Sequence, residues 1–108
     1  MNYETAVEIW RGMQTSTWDE LQQDVVEHAI RYARIRVDYR LADADQRQAM
    51  EEYRSICHNA LITSCDILAR NMSKRSEDVT WRQRLGNDRK IIGDFACHMH
   101  AIIGIAAR

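Results

Sequence analysis

The sequence contains no proline, four glycines and a single phenylalanine. Without proline nothing forces a break in a helical hydrogen-bond ladder. With so little glycine, a turn-dense β-sandwich or barrel lacks the residues its hairpins need. Lysine is scarce as well: only Lys74 and Lys90 stand beside 13 arginines. Cys57, Cys65 and Cys97 are odd in number and have no Cys-x-x-Cys spacing, which argues against a disulfide scaffold or a zinc ribbon. The longest run free of Asp, Glu, Lys and Arg, Phe95 to Ala107, is 13 residues, shorter than a bilayer-spanning helix needs. The opening Met1-Asn2-Tyr3-Glu4 has neither the basic nor the apolar region of a secretory leader. The expected setting is therefore the cytoplasm, with reduced thiols and no membrane association. Gly-x-Ser-x-Gly and glycine-rich phosphate loops are missing too, so neither a hydrolase elbow nor a P-loop is expected.

What is present fits one globular domain over residues 1–108, 45% hydrophobic and 29% charged. The net charge of −1 gives no global field that would pull the protein onto nucleic acid or an anionic membrane. Charge is nevertheless segregated: residues 1–30 hold six acids and one arginine, whereas residues 31–40 hold four arginines and one aspartate. Such blocks attract each other across a bundle or between subunits.

Hydrophobic spacing predicts an all-α bundle of four to five helices, with long second and third helices and an apolar C-terminal one. Asn2 is a capping residue for a short first helix with Tyr3, Val7, Trp10 and Met13 on one face. The second helix is capped from Ser16 or Thr17, Thr17 forming a capping-box pattern with Glu20. Its ladder of Trp18, Leu21, Val25, His28, Tyr32, Ile35, Tyr39 and Ala42 steps by threes and fours. A second stripe of Val26, Ile30, Ala33, Val37 and Leu41 lies beside it, so the buried face is wide. Asp43 or Asp45 caps the third helix, whose apolar face runs Met50, Tyr53, Cys57, Ala60 or Leu61, Ser64, then Ile67 or Leu68, ending near Met72. Ser76 is the expected cap of a short helix through Trp81 and Leu85, ended by Gly86. The last helix, from about Asp88, is apolar nearly all round, with Ile92, Phe95, Met99 and Ile102 in line. Covering such a helix in so short a chain favours a two-fold homodimer, with the second or the last helix at the interface.

Two Asp-x-x-x-His pairs, Asp24 with His28 and Asp94 with His98, each fall on one helical face, a spacing suited to metal ligation or to orienting a general base. The di-iron pattern of Glu-x-x-His on two helices is not there. The plainer reading, an Asp–His ion pair or a histidine satisfied in the core, carries more weight, so catalysis is not expected. Cys57, Cys97 and His100 make a weaker zinc set. Arginine interleaved with aromatics from Arg31 to Arg40, and a second basic group of Arg82, Arg84, Arg89 and Lys90, suggest phosphate contacts. Interrupting acids and the slightly acidic chain put nucleic-acid binding behind the other readings. The leading expectation is protein–protein contact, as a homodimer or with a regulatory partner, through Trp18, Tyr32, Arg36, Tyr39, Arg40, Ile102 and Ile103. A bound metal at Asp24, His28, Asp94 and His98 is the alternative, and no other cofactor is implied.

Overall fold

In the computed structural model, which describes residues 1–14 and 19–106, the chain folds into five helices. They are α1 (Tyr3–Met13), α2 (Asp19–Leu41), α3 (Ala44–Lys74), α4 (Thr80–Leu85) and α5 (Arg89–Ala106). No strand occurs among the described residues. The bundle predicted from spacing is the one the chain forms, with α2 and α3 the longest elements.

Helix α2 lies at the centre, packed along α3 on one side and α5 on the other, while α1 rests on α4 and α5. Its two adjacent stripes make this possible. Val25, Val26, Ala29, Tyr32, Ala33 and Ile35 are all buried, so α2 meets two neighbours at once. The second stripe dries only over its first half. Val37 and Leu41 emerge into solvent toward the end of the helix, Leu41 at 82% exposure. Helix α5 turns Ile92, Phe95, Ala96 and Met99 inward, and neighbours within the same chain cover that face. The rest of its apolar surface is less covered: Ile91 is exposed and Ile102 and Ile103 are half-buried.

On α1 the buried row is Ala6, Ile9 and Met13, not the Tyr3–Val7–Trp10 line expected from spacing. The two rows share Met13 and otherwise differ by about one residue, roughly 100° of helix. Close approach decides between them. A Cβ on Gly12 would come within 2.9 Å of the Trp81 Cβ, so this side of α1 is the one pressed closely against α4.

Capping follows local chemistry. Asn2 accepts from the Thr5 amide at 2.8 Å, as expected. Of the two aspartates before α3 it is Asp43 that caps, in a reciprocal capping box with Gln46. The expected cap from Thr17 to the second helix lies outside the described residues. Ser76 takes a different role from the one expected. It holds φ at +60° and closes the C-terminus of α3, where the Ser76 amide donates to the Ser73 carbonyl and the Glu77 amide to the Met72 carbonyl. This is the bonding of a Schellman motif, in which the residue after the C-cap goes left-handed. The N-terminal role at α4 falls to Asp78, whose carboxylate accepts from the Thr80 amide. That bond holds the Asp78 carboxyl below its ordinary range. Gly86 ends α4 at φ +65°, and Asp88 caps α5 by accepting from the Ile91 amide, both as the sequence indicates.

A left-handed serine at this C′ position carries strain that glycine lacks. Ser76→Gly is expected to stabilise the fold by about 0.5–1 kcal/mol. The measurement is the urea unfolding midpoint, which rises in the variant at unchanged denaturant dependence.

Candidate functional site

Helix α3 resolves its either-or pattern by burying Leu61 and Leu68 against α2, together with Cys57, Ser64, Cys65 and Met72. Ile67 is left on the outside, and so is Tyr53, which spacing places on the apolar face; with α2 set against Leu61 and Leu68, Tyr53 falls on the solvent side. Tyr53 (52% exposed), Ile56 (56%) and Ile67 (39%) lie there with half-buried Ala60, exposed Thr63 and Arg70. The steps from 53 to 56, 60, 63, 67 and 70 alternate three and four, so the six residues form one straight seam along the helix. Beside its middle a shallow groove of about 280 Å³ runs between α2 and α3, bordered by Leu21, Asp24, His28 and Ser64 with Ala60, Thr63 and Ile67 of the seam.

Of the residues expected to form an interface, Trp18 lies outside the described residues. Tyr32 is 1% exposed and belongs to the core, its ring edge-on to the buried His58 of α3 at 5.5 Å. Its hydroxyl donates to the Arg89 carbonyl at 3.5 Å. Burial pushes the Tyr32 hydroxyl above its ordinary range, against the pull of Arg54, Arg89 and Arg36. Ile102 and Ile103 are half-buried against the core. Arg36, Tyr39 and Arg40 do come together, lining a cleft where α2 meets the first turns of α3 and α5. The helical register of α2 alone brings these three toward one end of the bundle. It gives no hint of Arg47 and Arg54, which α3 brings to the same place. The second basic group divides: Arg82 pairs with Asp66 at 2.6 Å, Arg84 with Glu8 at 2.8 Å, and Arg89 and Lys90 join the α2 cleft.

The two Asp–His pairs take up different surroundings. Asp24 and His28 border the α2–α3 groove. Asp94 has both oxygens engaged, one accepting from the Met1 ammonium at 3.0 Å and the other from Arg36 at 2.9 Å. The His98 Nε2 lies 3.1 Å from the Met1 carbonyl, and its ring stands edge-on to Tyr3. Of the weaker zinc set, Cys97 lies 3.8 Å from the Arg36 guanidinium and Cys57 is buried. Among the described residues no group of three or more His, Cys, Asp or Glu side chains is arranged to hold a metal ion. No helix among them is long and apolar enough to cross a membrane.

The chain matches no protein-family model, no curated protein and no solved structure at a significant level. Function is therefore argued from these surfaces alone.

Asp94 ties α5 to both α2 and Met1. Partial burial works against its charge, but hydrogen bonds from the Met1 ammonium and Arg36 outweigh this and hold its carboxyl below the ordinary range. A depressed carboxyl stabilises the fold above its unfolded pKa, about 3.9, and that stability is lost as pH falls through the folded value. Asp94→Asn is expected to cost about 1–3 kcal/mol near neutral pH, since it leaves a 13%-exposed arginine without its counter-charge. Unfolding measured across a pH series should show the gap between variant and parent narrowing below about pH 4.

Proposed function

We propose that the chain acts through protein–protein contact, and in the first place by pairing with a second copy of itself along the exposed face of α3. The observation that carries this reading is the seam from Tyr53 to Arg70, apolar along most of its length and uncovered in the single chain. Monomeric proteins scatter their exposed apolar side chains; a straight row at helix-packing spacing is a contact surface.

The seam is also self-complementary. Laying two copies of α3 antiparallel about a two-fold axis between Leu61 and Ile62 puts Ile56 opposite Ile67 and Ala60 opposite Thr63. Tyr53 then faces Arg70 of the second copy, an arrangement suited to a guanidinium over an aromatic ring. The small residues fall at the centre, where two helices must approach most closely, and the large ones lie outboard. The alternating three-four steps are those of helices crossing at about 20°. An isologous contact of this kind needs no second surface. It sits on α3, whereas spacing alone favours α2 or α5 for the interface.

The same reading sets the protein in a reducing, cytoplasmic environment. Supporting it are three free thiols, of which Cys57 and Cys65 are buried as small core residues.

The test is solution mass by light scattering or sedimentation. A mass near twice the 12.7 kDa of one chain is expected at micromolar concentration. Ile56→Glu and Ile67→Glu should each return it to one chain with the helical circular-dichroism spectrum unchanged, because both residues are exposed and neither supports the core. A single-chain mass for the parent protein at high micromolar concentration refutes the pairing, as does a dimer that both variants leave intact.

A further inference from the structure

A second feature, apart from the seam, is a cleft between α2, the early turns of α3 and the start of α5. Six cationic side chains line about 450 Å³ of space: Arg36 and Arg40 from α2, Arg47 and Arg54 from α3, and Arg89 and Lys90 from α5. In a chain whose net charge is −1, this is a strong local concentration of one sign. The carboxylates bonded to these groups are Glu51, shared between Arg54 and Arg89, and Asp94, which holds Arg36. Six positive charges against two negative leave an excess of four. Arg47 donates to the Tyr39 and Arg40 carbonyls at the end of α2 and meets no carboxylate. Arg40 and Lys90 have no ion pair among the described residues.

We infer that this cleft binds a small anion carrying two or more linked phosphate groups. Arginine forks match phosphate oxygens two at a time, and an excess of four positive charges suits a linear triphosphate rather than a single carboxylate or phosphate.

The groups are held in place before any ligand arrives. The Arg54 guanidinium lies 4.0 Å from the centre of the Tyr39 ring, and that of Arg47 lies 5.2 Å from it. Stacking fixes both planes and lowers the entropy lost when an anion binds. The Arg54 Nε is buried without a hydrogen-bond partner, while the rest of its side chain lines the cleft. Tyr32 forms part of the wall, its hydroxyl already donated to the Arg89 carbonyl.

Shape separates a small polyphosphate from a polynucleotide. The cations converge from three helices on one concave space. A duplex is met by a basic row spread along a face, and here Asp38 and Asp88 interrupt any such row on the flanking helices. Arg54 and Arg47 already sit against the Tyr39 ring, so recognition is directed at the phosphates and not at a base.

Titration calorimetry on the full chain tests this, with inorganic tripolyphosphate as the probe and with ATP, orthophosphate and a short DNA duplex as comparison ligands. One tripolyphosphate per chain is expected, with affinity falling as salt rises and with orthophosphate much weaker. Arg40→Gln combined with Lys90→Gln should weaken tripolyphosphate by about tenfold or more, since two charge-assisted contacts are lost. Neither side chain supports the fold. Arg31→Gln combined with Arg34→Gln, outside the cleft, should leave binding unchanged. ATP binding no tighter than tripolyphosphate supports recognition of the phosphate chain alone. Equal affinity in the two double variants overturns the assignment, as does no heat at millimolar tripolyphosphate or binding of the duplex without tripolyphosphate. The Ile56→Glu protein should bind as the parent does, which separates this site from the pairing surface.

Discussion

Everything in the bundle is arranged around the burial of Tyr32. Its ring stands against His58 of α3, and its hydroxyl reaches the first turn of α5. A large aromatic with one polar atom is stable inside only where that atom finds a partner, so the residue sets how far α5 sits from α3 and which turn of each faces α2. From that placement the rest follows. Arg36, one turn further along α2, falls beside Asp94 and Cys97 of α5. Tyr39, a further turn on, comes to rest under the guanidinium groups of α3. Close packing also explains Gly93. A Cβ there would meet the Arg36 guanidinium at 3.0 Å, so the missing side chain on α5 makes room for the arginine that binds it.

Much of the fold can be read from the residues because helix-forming signals in this chain are local and consistent. Asn2, Asp43, Asp88 and Gly86 sit where capping geometry demands them, and the second helix has a period that no strand would share. Errors occur where two local solutions are nearly equal. The rows 3–7–10 and 6–9–13 of α1 are comparably apolar, and only the approach of Trp81 to Gly12 chooses between them. Ser76 looks like a start signal and acts as a stop, because the αL position after α3 was filled by serine where glycine is usual.

The surfaces are less legible than the core. Each apolar choice on α3 is visible in the sequence, but which one is buried depends on where α2 lies. The seam is what remains after that decision. The arginine cleft draws on positions as far apart as 36 and 90, brought together only by the antiparallel run of α2 and α3 and the return of α5. Arg31 to Arg40 advertises it in part. The α3 contribution, Arg47 and Arg54, has no pattern of its own, since those residues sit among glutamates that look like an ordinary solvated face.

Helix α3 also acts as a ruler. Its 31 residues contain no glycine or proline, so it runs about 46 Å without a hinge, nearly the 47 Å longest dimension of the molecule. The cleft gathers around its early turns. In the proposed antiparallel pair the axis would cross near the middle of the helix, placing two such clefts on either side of it, roughly 30 Å apart along the rod. The assembled pair would hold two anions at a fixed separation, facing away from each other at opposite ends, with a single stiff element setting the span.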